Sequence, residues 1–169
     1  YPEGPHMYKV GGRYYLMISE GGTEYGHMVT IARSASPWGP FEPCPRNPIL
    51  THRNSQVDQP VQATGHPDLV EDAAGRWWMV LLAIRPQEGQ WHHLGRETYL
   101  APAAWDADGW PVINGGRGIE LQSEMPTPRP QPWPTAPART TFDTPLGPEW
   151  NYLRNPDRAA YSVTERPGW

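Results

Sequence analysis

The chain has 169 residues with 14 basic and 18 acidic side chains, which gives a formal charge of −4. This balance argues against nucleic acid as the main partner, because phosphate binding needs an excess of basic side chains. The longest uninterrupted apolar run, residues 77–84, is far shorter than the roughly 20 residues that cross a bilayer. The composition is therefore that of a folded domain, with neither a nucleic-acid partner nor a membrane span expected.

The composition and motifs of the chain argue against several kinds of site. Cys44 is the only cysteine, so no internal disulfide forms, and no Cys or His cluster has the spacing of a zinc site. The adjacent His92 and His93 can bind a metal only with further ligands nearby. Because the sequence also lacks GxSxG, GKS, GKT and GxGxxG motifs, residues 21–26 are interpreted as a loop, and no cofactor is expected to be required.

Both ends of the chain predict that it is part of a longer protein. Residue 1 is Tyr, and no basic or apolar segment resembles a secretion signal. Residues 161–169 alternate like a strand that is interrupted at its turn. The neighbouring segments are expected to lie outside this sequence, which leaves the compartment, cytoplasmic or secreted, open.

Short runs of β-branched and aromatic residues bounded by Gly or Pro predict strands, and no window shows helical periodicity. The pattern therefore predicts an all-β chain. A linker is predicted to begin at residue 126, because six of the twelve residues 126–137 are Pro, which favours extended polyproline geometry. The strands are predicted, in chain order, over residues 7–10, 13–19, 28–33, 68–71, 76–84 and 97–103.

An internal repeat precedes the linker. Residues 5–9 resemble residues 67–71, and residues 12–17 resemble residues 75–80, at offsets of 62 and 63. Each copy predicts three or four antiparallel strands, and repetition of such a unit is typical of a β-propeller. Two copies cannot close a ring, and two unrelated hairpins that share a Gly-Arg-aromatic turn explain the same pattern.

Polar residues open both copies of the repeat, where a propeller would direct them at its axis. Glu3 opens the first copy and His66 the second, while Gly4 permits the close approach of a ligand or a neighbouring strand. Arg96 begins the third strand of the second copy and can also reach inward. A carboxylate, an imidazole and a guanidinium in an aromatic-rich cavity suit the hydroxyls and C–H faces of a sugar.

Each of these three residues also has a purely structural explanation. Glu3 lies near a chain end, where it can be merely solvated. His66 can be a hydrogen-bonded core histidine. Arg96 can form an ordinary ion pair with its neighbour Glu97.

The tryptophans divide by their position in the pattern. Trp38 and Trp91 lie on predicted loops and are candidate platforms for a sugar ring. The tryptophans in or beside the predicted strands are expected to pack between blades. They are Trp77, Trp78, Trp105 and Trp110.

At these same residues the sequence resembles glycoside hydrolase family 43, particularly its β-xylosidase and α-L-arabinofuranosidase members. The resemblance runs from residue 1 to about residue 121 and is specific through the combination and order of short stretches. Residues 141–150 and 161–168 further resemble the start of the β-sandwich that follows the propeller in the xylosidase-like branch. The matching stretches are residues 3–9, 19–23, 30–34, 39–41, 47–50, 65–66, 95–98 and 108–112.

The resemblance implies a five-bladed propeller, of which residues 1–125 form roughly the fourth and fifth blades. Residues 126–138 are then the Pro-rich linker, and residues 139–169 are the start of a β-sandwich. A WD-type scaffold is disfavoured, because its blades run nearer to about 40–45 residues than to the observed offset of 62.

The resemblance also implies roles for three residues. Glu3 matches the general acid of the family, and Arg96 matches an arginine that contacts the sugar. His66 matches a histidine at the propeller centre, which some members link through water to a structural calcium. The general-base Asp and the Asp that modulates the acid belong to earlier blades, and none of the seven Asp residues here lies in a matching motif.

The activity that the resemblance implies is removal of xylose or arabinose from the non-reducing end of hemicellulose oligosaccharides. Inversion needs an acid and a base about 6.5–9.5 Å apart. Glu3 must then hold its proton near neutral pH. A nearby Arg96 would lower the pKa of Glu3, so burial and a neighbouring carboxylate must raise this pKa by more. Without the base, this chain is expected to be inactive alone. The alternative is a non-catalytic sugar-binding propeller, in which Glu3 only hydrogen-bonds its ligand.

Overall fold

The computed structural model describes residues 1–55, 59–124, 126 and 130–166. The chain divides into two compact units, residues 1–126 and residues 127–169. Parts of the predicted linker, at residues 127–129, and of the predicted sandwich, at residues 167–169, lie outside the described residues. In the part of the chain that the structure describes, no helix is both long enough and apolar enough to cross a membrane.

The first unit begins with an antiparallel sheet in which successive strands are neighbours. Its strands are β1 (Glu3–Val10), β2 (Arg13–Glu20), β3 (Met28–Ser34) and β4 (Glu42–Pro43), in that order. The short strand β5 (Leu50–Thr51) pairs with the beginning of β3, whereas β4 pairs with its later residues. The side chains of β2 alternate between buried and partly exposed, because successive residues of a strand point to opposite faces.

A second antiparallel sheet follows with the same order of neighbours. Its strands are β6 (Gln62–Glu71), β7 (Trp77–Ile84), β8 (Arg96–Trp105) and β9 (Pro111–Ile113). The chain is therefore all-β, as predicted. Each copy of the sequence repeat forms one antiparallel sheet, of five strands in the first copy rather than the predicted three or four, and of four strands in the second.

All six predicted strands are present, but the opening strand of each sheet begins earlier than predicted. Strand β1 begins at Glu3, and its register shifts between Glu3 and His6. Strand β6 begins at Gln62, with shifts on both sides of Gly65. Such shifts mark β-bulges, which bend a strand and redirect its side chains.

One core joins the two sheets. Tyr15 and Met17 from β2 and Met79 and Leu81 from β7 belong to the same buried cluster. Of the tryptophans expected to pack, Trp110 is among the largest fully buried side chains. The others are also packed, since Trp78 is buried while Trp77 and Trp105 lie against the cluster and form an edge-to-face pair.

Polar contacts also connect the sheets. The Tyr8 hydroxyl donates to the Asp68 carboxylate and accepts a hydrogen bond of 2.9 Å from the Leu69 backbone N–H. Burial, with the bond to Asp68, raises the pKa of Tyr8 well above its ordinary value. The Arg33 guanidinium lies 4.2 Å from the centre of the Trp110 ring. These contacts hold β1 against β6 and the first sheet against the chain after β8.

The second unit contains no strand among its described residues, 130–166, and its regular structure there is one 3-10 turn at Arg158–Ala160. The strand predicted from residue 161 is therefore wrong for residues 161–166. A strand needs a neighbour to satisfy its backbone groups, and the described part of this unit offers none. The sandwich over residues 139–169 stays a prediction.

Candidate active site

The site lies where the first two strands of the first sheet meet β6 of the second. Glu3 on β1 lies opposite Ser19 on β2. The hydroxyl of the fully buried Ser19 accepts a hydrogen bond of 2.6 Å from the backbone N–H of His66. Ser19 therefore fixes the backbone of His66 beside the strand that carries Glu3.

The structure brings Glu3 and His66 together. Their side chains, Oε1 of Glu3 and Nδ1 of His66, are 3.9 Å apart and are 40% and 45% exposed. The close approach involves Gly4, because a Cβ at this position would lie 3.1 Å from Nε2 of His66. Both side chains are open to solvent, so the described residues do not supply the burial expected for Glu3.

A second imidazole, which the sequence reasoning missed, faces Glu3 from below the surface. His27 is completely buried, and its Nε2 is 3.5 Å from Oε1 of Glu3. Its Nδ1 lies 3.1 Å from the backbone oxygen of Ala63. Because a carbonyl oxygen only accepts, Nδ1 of His27 carries a hydrogen and donates it.

Backbone contacts on both sides hold His27 directly before β3. Its N–H donates to the Glu24 carbonyl at 2.9 Å, and its carbonyl accepts from the Thr51 hydroxyl at 2.8 Å. The ring lies flat on Gly65, where a Cβ would come within 2.3 Å of the ring carbon Cε1. In the sequence, the available signals were a glycine-rich loop ending on a histidine and a glycine directly before His66.

The backbone of the site is strained. Ala63 and His66, both on β6, have φ values of +53° and +48°, and Gly4 on β1 has +53°. This left-handed region is rare for residues other than Gly and persists only where the surrounding structure enforces it. Strained residues and bulges cluster at functional sites, and here both coincide around Glu3.

Arg96 does not contact the other two predicted residues. It is exposed at the start of β8, opposite Ile84, and its side chain makes no ion pair or hydrogen bond within the described residues. The alternative pairing with Glu97 is wrong, because Glu97 instead accepts two hydrogen bonds from Arg85, at 2.8 and 3.1 Å. The hydrogen bonds from Arg85 are the main cause that lowers the pKa of Glu97, and the positive charge of Arg85 adds to the effect. Arg96 stays a predicted sugar contact.

The candidate sugar platforms and metal ligands lie at the surface. Trp38 is 93% and Trp91 72% exposed, and both stay predicted platforms. No group of three His, Cys, Asp or Glu side chains among the described residues is arranged to hold a metal ion. The structural calcium linked to His66 through water stays a prediction.

The geometry brings one carboxyl group within 4 Å of both an exposed and a buried imidazole on an all-β scaffold. A carboxyl group with such partners suits general acid or base chemistry.

Residues 1–111 match the glycosyl hydrolases family 43. This match covers more than half of the 169 residues, and the chain belongs to this family.

The similar proteins include named glycosidases. The chain is 49% identical over 168 residues to the non-reducing end alpha-L-arabinofuranosidase BoGH43B of Bacteroides ovatus, covering 99% of this chain and 32% of that protein. It is 44% identical over 173 residues to a xylosidase/arabinosidase of Butyrivibrio fibrisolvens, covering 100% and 33%. The chain thus spans about a third of the length of these relatives.

Solved structures show the same relation. The structure titled Bacteroides ovatus Xyloglucan PUL GH43B has a TM-score of 0.74 at 49% identity, covering 99% of this chain and 33% of that one. The xylan beta-1,4-xylosidase from Bacillus halodurans has a TM-score of 0.73 at 41% identity, covering 99% and 32%.

Proposed function

We propose that the chain supplies the proton-donating part of the active site of an exo-acting glycoside hydrolase. The substrate class is xylo- or arabino-oligosaccharides of hemicellulose, from whose non-reducing end the enzyme removes xylose or arabinose. The observation that carries this proposal is the Glu3 carboxyl group, which lies within 4 Å of the imidazoles of His27 and His66. The sequence resemblance to the family, which aligns Glu3 with the general acid, supports this role. The names of the arabinofuranosidase and xylosidase relatives support the substrate class.

We also propose that the two sheets are two blades of a five-bladed propeller. The outward face of the second sheet supports this arrangement. Val70 and Leu100 lie on the face opposite Met79 and Leu81 and are 48% and 42% exposed. In a closed ring, such apolar side chains are covered by the next blade, because each sheet buries both faces against its neighbours.

In this mechanism Glu3 donates its proton to the glycosidic oxygen as the bond to the departing sugar breaks. A carboxylate on the opposite face of the sugar ring, about 6.5–9.5 Å from the Glu3 carboxyl group, activates a water molecule. The water attacks the sugar from that face, and the configuration is inverted. That base, and a second Asp that favours the protonated form of Glu3, would come from residues outside this sequence. Arg96 and His66 would contact the bound sugar.

It follows that residues 1–169 alone should not hydrolyse glycosides, whereas a longer protein containing them should. The test compares the purified chain with the product of the complete reading frame on p-nitrophenyl β-D-xyloside and α-L-arabinofuranoside, with the product anomer followed by NMR. Hydrolysis by the longer protein with inversion is expected. Hydrolysis by the chain alone, or binding of xylo-oligosaccharides by the longer protein without hydrolysis, would contradict the proposal.

A further inference from the structure

The rings of two buried histidines, His27 and His52, are held in the same way through Nδ1. Nδ1 of His27 lies 3.1 Å from the Ala63 carbonyl oxygen, and Nδ1 of His52 lies 2.7 Å from that of Val61. A carbonyl oxygen can only accept, so both rings carry a hydrogen on Nδ1. In the neutral ring, Nε2 is then an acceptor with its lone pair directed away from that carbonyl.

On the other side the two rings differ. Nε2 of His52 accepts a hydrogen bond of 2.9 Å from the backbone N–H of Ile119. Nε2 of His27 is buried and has no hydrogen-bond partner among the described residues. The charged group that faces it is Glu3, whose Oε1 is 3.5 Å away. A buried acceptor without a donor is unfavourable, and of the two forms of Glu3, only the protonated acid offers a donor.

We propose that His27 is a positioning residue for Glu3, whose acid O–H it holds through Nε2 until the proton is transferred. This inference rests on the proposed role of Glu3 as the general acid. The distance of 3.5 Å is longer than a hydrogen bond, but catalytic hydrogen bonds are often long before substrate binds and tighten in the complex. The half-exposed Glu3 side chain has the freedom to make that approach.

The surroundings of His27 leave its ring one orientation. The ring is completely buried. The ring also cannot turn to another partner, because Gly65 lies against its face and Ala63 holds Nδ1. During catalysis the O–H bond of Glu3 breaks as an O–H bond forms on the leaving oxygen. His27 keeps its Nδ1 hydrogen throughout and neither gains nor loses a proton.

Long-range ¹H–¹⁵N NMR of the histidine rings tests this pairing on the 169-residue chain itself. His27 should show a protonated Nδ1 and an unprotonated Nε2, and Glu3→Ala should shift the Nε2 resonance of His27. Glu3→Gln, whose amide still donates, should shift it less. His52 is the internal control, because its ring partners are unchanged in both variants and its spectrum reports that the chain is folded. Two protonated nitrogens on His27, or an Nε2 resonance of His27 that does not shift in Glu3→Ala, would overturn the inference.

Kinetics of the longer protein give a second readout that a structural role would not move. His27→Asn can still donate to the Ala63 carbonyl but leaves no acceptor beside Glu3, whereas His27→Gln can place its amide near the position of Nε2. His27→Asn should lower kcat roughly tenfold on xylobiose with little change in KM, and p-nitrophenyl glycosides should be less affected. His27→Gln should recover part of the loss. Equal losses on both substrates would refute a role through the Glu3 proton.

The two experiments separate this inference from the proposed function. The NMR result concerns only the contact between His27 and Glu3, and it holds whether or not the longer protein hydrolyses glycosides. A longer protein without activity therefore removes the proposed function while the NMR result still decides whether Nε2 of His27 accepts from Glu3.

Discussion

Replacing Gly65 by Ala tests the packing that places His27 against Glu3. The added Cβ would lie 2.3 Å from Cε1 of the His27 ring, whereas ordinary contact begins at 3.4 Å. The ring must therefore move by about 1 Å, although it is buried on all sides and bonded to Ala63. Overpacking of this kind typically costs about 1–3 kcal/mol. With a urea slope of about 2 kcal/mol per M, a cost of about 2 kcal/mol lowers the unfolding midpoint by about 1 M.

Gly26→Ala is the matched control for this experiment. Gly26 precedes His27 directly, its φ is also outside the left-handed region, and a Cβ there would meet no atom within 4 Å. This variant should change the free energy of unfolding by less than about 0.5 kcal/mol. Urea unfolding followed by tryptophan fluorescence compares the two. Equal midpoints for Gly65→Ala and Gly26→Ala, with unchanged slopes, would refute the packing argument.

Two further predictions concern contacts within and between the sheets. Tyr8→Phe removes the hydroxyl that links β1 to Asp68. Urea unfolding should show a free energy of unfolding lowered by about 1–2 kcal/mol. Tyr14→Phe is the control and should have little effect, because the Tyr14 hydroxyl makes no hydrogen bond in the described residues. Arg85 holds the pKa of Glu97 below its ordinary value of 4.5, so this pair stabilises the fold above that pH, and the stability is lost as the pH falls through the lowered pKa. Glu97→Gln should therefore unfold with a weaker pH dependence below about pH 4.5, and an unchanged acid profile would contradict this assignment.

The strands were predictable where the pattern is local. Alternation and the Gly-containing turns between β1 and β2 and between β6 and β7 depend on neighbouring residues, and both hairpins were found. The openings of β1 and β6 were missed because Gly4, Pro5, Gly65 and Pro67 are usually strand breakers. In the structure these residues lie in bulged strands, where an irregular ladder tolerates them.

The candidate site was predictable only in part. Glu3 and His66 were identified because both open a repeat. His27 was missed because its environment comes from Ala63 and Gly65, which are remote in sequence, and only the tertiary structure brings them together.

The pairing of Glu97 depended on strand register, which the sequence alone does not specify. The register between β7 and β8 places Glu97 opposite Ala83, and Arg85, which directly follows β7, bonds to Glu97 from the adjoining strand. Arg96, next to Glu97 in the sequence, is directed elsewhere because adjacent residues of a strand point to opposite faces.

The most direct test of the central claim is the leaving-group dependence of Glu3→Gln in the product of the complete reading frame. If Glu3 supplies the proton, kcat on xylobiose should fall by roughly 10²–10⁴-fold, while glycosides whose leaving group departs without protonation should keep most of their rate. Equal losses on both kinds of substrate, or full activity on xylobiose, would contradict the assignment of Glu3 as the acid.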